Sequence, residues 1–240
     1  MIQSFTATGF TVGDNSIVNQ LNQVFDYQAF RIIGPTDIAV GVYAGDDSNP
    51  RTIEVGLTPV VVFLKRDGVS NCKWRIAHNA ANEALQFDVA ADSSIITGFT
   101  ASGFTVTNDA GVNAAGSNYN WVTFAEDADF IAEGVYTGNA TDPTSISVGF
   151  QPDLVWDKQT GAVGAVYHPS TRTGDITSYF LATAAIADAI QAFEADGFQV
   201  GGHATVNTNL VVYRWAAWKV GTSEAPSSAV SNYPAWRPRW

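Results

Sequence analysis

The sequence predicts an all-β protein made of tandem antiparallel β-sandwich units of about 94 residues, with a partial unit at its N-terminus. Three observations lead to this prediction. Short motifs recur at a constant interval, and the hydrophobic residues within them alternate with period two. Clusters of glycine, asparagine, aspartate and proline separate the motifs at the short spacing that is typical of strand connections.

One part of the unit occurs three times. The sequence reads GFTV from Gly9 and from Gly103 and GFQV from Gly197, so the motif repeats every 94 residues. A Val-Asn pair follows each motif, and aromatic residues follow each pair in fixed register. The matched positions are Asn19, Asn113 and Asn207; Phe25, Tyr119 and Tyr213; Tyr27, Trp121 and Trp215; and Phe30, Phe124 and Trp218.

The other part of the unit occurs twice. A Gly-Val-Tyr motif at 41–43 returns at 134–136, and the paired Val55–Pro59 and Val148–Pro152, Phe63 and Trp156, and Lys65 and Lys158 keep the same interval of 93 residues. Matches at this many positions, at two constant intervals, are not expected by chance. We therefore predict a partial unit of closing strands at 1–33, full units at 37–127 and 131–219, and a tail at 220–240 that matches none of them.

The matched segments have the pattern of short strands. Phenylalanine and valine of GFTV point to one side while threonine points to the other, and residues 25–27 and 213–215 alternate in the same way. The continuous apolar run 60–64 predicts a strand buried on both faces. Residues 182–193 have high helix propensity, but the equivalent residues 88–99 do not. We therefore expect a loop leading into a strand in both units.

The recurring aromatic residues are predicted to be core anchors, because truncating a buried Phe or Trp typically costs about 3–5 kcal/mol. A platform that stacks sugar rings is the alternative interpretation of the same positions.

The composition narrows the function classes. The 240 residues carry a formal net charge of −11, which disfavours nucleic acid and anionic membrane surfaces as partners. One cysteine, Cys72, excludes an intramolecular disulfide, and we expect it to be an idle thiol. The N-terminus lacks the features of a signal peptide, and no apolar stretch is long enough to span a membrane. We therefore expect synthesis in a reducing cytoplasm and no membrane insertion.

The motifs resemble a β-sandwich repeat of bacteriophage virion proteins of the tail-fibre-like or decoration type. The segments Gly134–Lys158 and Gly197–Trp218 carry the resemblance best, and it covers about residues 1–219. The first full unit departs from it, with Leu57 in place of Phe150 and a polar insertion at 68–73. The resemblance implies a virion component, either an attachment-fibre piece or a decoration protein of capsid or tail. It carries over no catalytic residues.

The sequence gives no support for catalysis. The three histidines, His78, His168 and His203, do not occupy equivalent repeat positions and lack metal-ligand spacing. The acidic clusters at 46–47, 126–129 and 194–196 lie in turn-like segments, where aspartate is favoured for local hydrogen bonds. A calcium site at 46–49 is the weaker alternative there. We therefore predict no enzyme activity, no cofactor and no metal site.

The C-terminal tail is the predicted docking segment. Three prolines exclude a helix or a central strand after residue 225. Aromatic and arginine side chains, the residue types that dominate interface hot spots, cluster at its end. The candidate docking residues are Tyr233, Trp236, Arg237, Arg239 and Trp240.

Residues 1–33 also predict association, because an isolated hairpin is marginally stable and leaves open strand edges. The partial unit should add either to an adjacent unit of its own chain or to a neighbouring subunit. We expect a homo-oligomer whose partners are copies of itself and other virion proteins.

These observations favour a non-enzymatic structural component on the outer surface of a phage particle. The alternative is a carbohydrate-binding module that recognises a host surface glycan, for which Tyr167 and Tyr179 are the candidate contacts. A glycan-cleaving enzyme is the third hypothesis. Glycan-array binding separates the first two hypotheses, and loss of a defined oligosaccharide over time identifies the third.

Overall fold

The computed structural model describes residues 2–16, 18–22, 25, 27–30, 37–68, 71–93 and 95–219. Nearly all regular structure in these residues is antiparallel β-strand, so the all-β prediction is confirmed. The helix α1 spans only Ala204–Asn207, and no helix in the described ranges is long or apolar enough to cross a membrane. The strands are β1 (Ile2–Thr6), β2 (Gly9–Val12), β3 (Ile38–Ala44), β4 (Arg51–Glu54), β5 (Pro59–Arg66), β6 (Lys73–Ile76), β7 (Glu83–Gln86), β8 (Asp92–Ser93), β9 (Ile96–Thr100), β10 (Gly103–Val106), β11 (Asn118–Ala125), β12 (Ile131–Thr137), β13 (Thr144–Ser147), β14 (Leu154–Gln159), β15 (Val166–Pro169), β16 (Ser178–Tyr179), β17 (Ile190–Glu194), β18 (Gly197–Val200) and β19 (Val212–Trp218).

The chain divides into two compact units, residues 1–32 and the residues from 33 onward. The first unit contains the hairpin β1-β2, in which Phe5 lies opposite Phe10. The strand predicted at 25–27 is wrong, since Phe25 and Tyr27 lie outside any strand. The equivalent strand β11 pairs with β3 on one side and β5 on the other, and the described part of the first unit has no counterpart of either strand.

The second unit contains two β-sandwiches. In the first, a six-stranded sheet of order β3-β11-β5-β6-β7-β8 shares a core with a three-stranded sheet of order β4-β10-β9. In the second, a five-stranded sheet of order β12-β19-β14-β15-β16 shares a core with a three-stranded sheet of order β13-β18-β17. Each strand pair recorded among the described residues of the second unit lies within one sandwich. The segment before β17 is a loop, as expected from the sequence, whereas the segment before β9 contains the two-residue strand β8, which pairs with β7.

Each core is filled by alternate residues of its strands. Phe104 and Val106 of β10 are fully buried, while Thr105 between them is half-exposed. Strand β5 contributes to two layers, because Val62 and Leu64 enter the first core while Phe63 points to the opposite face of the sheet. The apolar run 60–64 therefore belongs to a strand buried on both faces, as predicted.

A glycine fixes the spacing between neighbouring strands in each large sheet. A Cβ atom built on Gly41 would lie 2.4 Å from the indole of Trp121, and one on Gly134 would lie 2.7 Å from the indole of Trp215. Any larger side chain would displace the tryptophan. The Gly-Val-Tyr motif and the aromatic strand recur together because the tryptophan ring of the strand lies over the glycine backbone of the motif.

The two large sheets pack against each other through aromatic side chains on their outer faces. The ring centroids are 4.7 Å apart for Phe63 and Trp156, 4.5 Å for Phe87 and Phe180, and 5.5 Å for Phe124 and Trp218. Each of these contacts joins two positions that are equivalent in the repeat. Contact of a residue with its own equivalent is the mark of a two-fold interface, so the sandwiches meet as a pseudo-dimer within one chain.

Polar contacts surround this aromatic interface. The Arg214 guanidinium of the second sandwich lies 2.7 Å from the Glu83 carboxylate of the first, and both side chains are largely buried. At another position, the imidazole of His78 lies 2.7 Å from the carboxylate of Glu133. The Ala165 amide donates a hydrogen bond to the Phe87 carbonyl at 2.6 Å. These contacts fix the orientation of one sandwich on the other.

Replacing Phe63 tests the interface. We expect Phe63→Ala to lower the free energy of unfolding by about 3–5 kcal/mol, because Phe63 is 7% exposed and contacts Trp74, Phe87, Phe124 and Trp156. Urea denaturation measures the change. Val42→Ala is the control, since Val42 is 63% exposed, and it should change the stability by less than about 0.5 kcal/mol. Equal effects of the two substitutions would contradict the assignment of Phe63 to an interior contact.

Candidate functional site

The predicted docking residues Tyr233, Trp236, Arg237, Arg239 and Trp240 lie outside the described residues. Their docking role stays a prediction.

The recurring Val-Asn pair has a structural role in the first sandwich. The Asn113 side chain accepts hydrogen bonds from the Asp46 amide at 3.2 Å and the Arg51 guanidinium at 2.9 Å, and it donates to the Ser48 carbonyl at 2.9 Å. Asn113 is fully buried. It therefore clamps the loop between β3 and β4 onto the turn that precedes β11.

Asn207 forms the equivalent clamp in the second sandwich. Its side-chain oxygen accepts from the Asn139 amide at 2.9 Å, and its side-chain nitrogen donates to the carbonyls of Thr141 and Gly201 at 2.8 and 2.9 Å. Asn207 is 1% exposed. In the described structure, the recurrence of asparagine at this position reflects loop closure.

The acidic turn at 46–49 is held by the same clamp. The Asp46 carboxylate accepts hydrogen bonds from the Ser48 hydroxyl and from Asn113, and the bond with Ser48 is the main reason its pKa is lowered to about 2. The Asp47 carboxylate accepts from the Ala115 amide at 2.9 Å. The structure thus assigns both carboxylates local hydrogen-bonding roles. Among the described residues, no group of three or more His, Cys, Asp or Glu side chains is arranged to hold a metal ion.

The other acidic clusters also bond locally. The Asp127 carboxylate accepts from the Asp129 amide at 2.9 Å, in the connection between the two sandwiches. The Glu194 carboxylate accepts from the side chains of Gln199 at 2.6 Å and Ser145 at 3.2 Å. The structure does not bring these clusters together into one site.

The three histidines lie in three different environments. His78 pairs with Glu133 at the contact between the sandwiches, and His203 caps α1 by accepting from the Thr205 amide at 3.2 Å. His168 is 4% exposed and packs edge-on against Phe193, with ring centroids 5.3 Å apart. Burial lowers the pKa of His168, which favours the neutral imidazole.

His168 borders a polar cleft of about 430 Å³ beside β15. The Ser170 hydroxyl donates to the Asp153 carboxylate at 2.9 Å, and the Asp175 carboxylate accepts from the Asp188 amide at 2.9 Å. The cleft combines carboxylates, a guanidinium, an imidazole and an aromatic ring, groups that bind a polar ligand such as a sugar. The side chains that define it are Asp153, His168, Ser170, Arg172, Asp175 and Phe193.

Sequence reasoning did not find this cleft, because its side chains come from segments that are adjacent only in the folded chain. Asp153 precedes β14, whereas Asp175 follows β15 and Phe193 belongs to β17. The polar run at 168–175 was its only local signal.

The two tyrosines named as candidate glycan contacts pack in part against neighbouring side chains. The Tyr167 ring lies 4.8 Å from that of Phe180, and the Tyr179 hydroxyl makes a hydrogen bond with the Thr205 hydroxyl at 2.9 Å. Both side chains are half-buried. These contacts favour a packing role for both residues. Cys72 is also partly buried, and burial raises the pKa of its thiol to about 11, so the reactive thiolate is disfavoured.

Two charged residues of β14 are buried. Lys158 is 1% exposed, and its ammonium donates to the carbonyls of Gln159 and Gly161, just as Lys65 donates to Arg66 and Gly68 in the first sandwich. This recurring lysine closes the turn after the strand. Burial lowers the pKa of Lys158 to about 8.

Asp157 is the second of these residues and lies inside the second core. It is 1% exposed and occupies the position of Leu64 in the repeat. Tyr136 is its neighbour, but that hydroxyl donates to the Val206 carbonyl at 2.6 Å, and neither carboxylate oxygen of Asp157 has a hydrogen-bond partner. Burial raises the pKa of Asp157, so the protonated form is favoured.

The N-terminal unit presents an apolar surface to solvent. The exposed fraction is 84% for Phe5, 54% for Ile2, 72% for Tyr27 and 37% for Val12. Exposed apolar side chains clustered on one small element mark an interaction surface.

Asp157 predicts a dependence of stability on pH. Its pKa is higher in the folded than in the unfolded chain, so the folded protein retains a proton that the unfolded chain releases above about pH 4. Stability should therefore fall as the pH rises through this range, by up to about 1.4 kcal/mol per pH unit from this group. Asp157→Asn should flatten the profile and raise the stability at neutral pH.

Urea denaturation between pH 4 and pH 8 measures this effect. The control is Asp196→Asn, which removes an exposed carboxylate in the turn before β18 and should leave the slope unchanged. Identical profiles for the parent chain and Asp157→Asn would contradict the assignment of a protonated carboxyl to the second core.

Residues 126–233 match the family model of a domain of unknown function, DUF7483. This range contains all the strands of the second sandwich, β12 to β19. No curated protein and no solved structure matches the chain. The second sandwich is therefore the part of the chain that is similar to a known domain family.

Proposed function

We propose that the chain is a non-enzymatic structural component on the outer surface of a bacteriophage particle, either as a tail-fibre or attachment protein or as a decoration protein of capsid or tail. The exposed apolar surface of residues 2–12 carries the proposal. Phe5, Ile2 and Val12 project from a two-stranded hairpin, and a hairpin of that size gains stability by adding to a larger assembly. A subunit built for assembly accounts for such a surface.

The roles of the recurring residues support the same proposal. Phe104 and Phe198 fill cores, Asn113 and Asn207 clamp loops, and Lys158 closes a turn. The positions that repeat along the chain thus maintain the architecture. The resemblance to phage β-sandwich repeats is the reason for proposing that the assembly is a phage particle.

Charge and copy number fit this role. A net charge of −11 keeps a protein soluble at high concentration, as a subunit made in many copies requires. Repeated display on one particle multiplies weak contacts, with an avidity gain on the order of 10²–10⁴.

Mass spectrometry of particles tests the proposal. We expect the chain in gradient-purified phage particles from cells that carry its gene, at a constant ratio to the other particle proteins. Antibody labelling of intact particles in the electron microscope should then decorate their outer surface. Recovery of the chain only in the soluble cell fraction, with none in purified particles, would reject the structural role.

The polar cleft favours carbohydrate recognition as the second candidate function. Its carboxylates and the Arg172 guanidinium match the hydroxyl groups of a sugar, and the Phe193 ring offers an apolar face. We expect Asp153→Ala to weaken retention on a glycan array by about tenfold, because it removes a charged hydrogen-bond acceptor. Asp196→Ala, outside the cleft, is the matched control. Equal retention of both variants, or no retention of the parent chain, would reject this candidate.

A further inference from the structure

In each sandwich we call the strands β3–β8 or β12–β16 the opening half and the strands β9–β11 or β17–β19 the closing half. The described part of the N-terminal unit has the local structure of a closing half. In its hairpin Phe5 lies opposite Phe10, as Phe99 lies opposite Phe104 in the first sandwich and Phe193 opposite Phe198 in the second. The turn that follows is also the same. The amides of Val18 and Asn19 donate to the Asn15 carbonyl at 3.0 and 2.9 Å, and the Asp109 and His203 carbonyls accept the equivalent bonds.

An aromatic contact completes the likeness. The rings of Phe10 and Tyr27 meet edge-on with centroids 5.2 Å apart. The equivalent pairs Phe104 with Trp121 and Phe198 with Trp215 meet edge-on at 6.5 and 5.8 Å. The first unit thus keeps the closing-half geometry without the strands that complete it in the sandwiches.

Three groups of the N-terminal unit have no neighbour among the described residues, whereas the equivalent groups of both sandwiches are paired or packed. The first is a strand edge. Strand β10 pairs with β4 on its second edge, with Phe104 opposite Ile53, and β18 pairs with β13, with Phe198 opposite Ile146. Within the described residues, β2 pairs only with β1.

The second feature is the phenylalanine of β1. Phe5 is 84% exposed. Its equivalents are packed: the Arg75 guanidinium lies over the Phe99 ring at 6.0 Å, and His168 packs against Phe193. Arg75 and His168 belong to strands of the opening half of their sandwiches, so the contact that covers Phe99 and Phe193 comes from that half.

The third feature is the loop clamp. Asn19 is exposed, whereas the equivalent Asn113 and Asn207 are buried and hold the loop that joins the Gly-Val-Tyr strand to the next strand. That loop also belongs to the opening half. Within the described residues, three groups of the N-terminal unit therefore lack the neighbours that their equivalents have: the edge of β2, the ring of Phe5 and the side-chain amide of Asn19. In both sandwiches these neighbours come from the opening half.

We propose that the N-terminal unit binds an opening-half segment of a β-sandwich unit of this type. The bound segment runs from a Gly-Val-Tyr strand, through a proline-containing loop and a Thr/Ser-Ile strand, to the equivalent of β15. The Ile of the donated segment lies opposite Phe10, its loop bonds to Asn19, and its last strand packs on Phe5. The segment belongs to neither complete sandwich, because β4 and β13 are already hydrogen-bonded to β10 and β18.

Strand addition at an open edge is an established mode of protein association, in which backbone bonds supply affinity and alternate side chains supply specificity. Here the specificity comes from residues that the chain itself shows twice, Ile53 opposite Phe104 and Ile146 opposite Phe198. This inference holds whether or not the assembly is a phage particle.

A synthetic peptide with the sequence of residues 131–169 is the probe, because it contains β12, the loop, β13 and the strand β15 that carries His168. We expect it to bind the full chain saturably in a fluorescence anisotropy titration. The same peptide carrying Ile146→Asp should bind at least about tenfold more weakly, because it places a charge opposite Phe10.

Variants of the full chain locate the binding. Phe5→Ser and Asn19→Ala should each weaken peptide binding by about tenfold, through lost apolar burial and lost hydrogen bonds respectively. Both residues are exposed, so neither substitution should alter the unfolding curve. Gln20→Ala, an exposed amide next to Asn19, is the matched control and should bind as the parent chain does.

Three results would overturn the proposal. The first is the absence of saturable binding by the peptide. The second is binding that Phe5→Ser and Asn19→Ala leave unchanged, which would assign the peptide to one of the complete sandwiches. The third is a dimer of the parent chain in sedimentation that Phe5→Ser dissociates, which would make a second copy the occupant. None of these results bears on whether purified particles contain the chain, so the two proposals fail separately.

Discussion

The packing of aromatic side chains between the two large sheets is the constraint on which the rest of the second unit depends. It buries the outer face of each sheet as well as the inner one, and the run 60–64 of the central strand β5 is accordingly apolar on both sides. Edge-on and tilted rings at 4.5–5.5 Å also prefer defined orientations. Because equivalent residues contact each other, each aromatic position of the repeat supplies both sides of one contact. The Arg214–Glu83 ion pair fixes the orientation of one sandwich on the other.

The two sandwiches share the side chains that close a loop and a turn, whereas one core position, that of Leu64 and Asp157, has diverged. Asn113 and Asn207 bond to several groups of a loop, and Lys65 and Lys158 bond to two carbonyls of a turn. Changing these residues leaves backbone groups without partners, which is costly in a buried site. The position of Leu64 and Asp157 has no such partner to satisfy. It has diverged to a carboxyl, which burial keeps protonated.

Much of the fold could be predicted from the sequence, because alternation and register are local properties. GFTV, the run 60–64 and the loop before β17 were predicted correctly on that basis, whereas the short strand β8 before β9 was not. Residues 25–27 show the limit of this reasoning, since their alternation forms a strand only when neighbours are present on both sides. The aromatic positions were predicted to be buried, but their partners in the other sandwich could not be inferred from periodicity.

The candidate sites were harder to predict for the same reason. The cleft beside His168 unites residues from three segments, and the burial of Asp157 depends on the fold around a strand. The repeat itself held one usable signal, since a carboxylate replaces the leucine of the equivalent position. The missing neighbours of the N-terminal unit become apparent only when the three copies of the motif are compared in structure. Phe5 and Asn19 are exposed in the first copy, whereas their equivalents in the other two copies are partly or fully buried.

The back-to-back contact of the large sheets has a consequence for what the second unit displays. Four layers follow one another, and the two three-stranded sheets, β4-β10-β9 and β13-β18-β17, form the outermost ones on opposite sides. A molecule that recognises one of these outer sheets meets a related surface on the far side of the same chain. The pseudo-dimer therefore presents two related sheets that face in opposite directions on one chain.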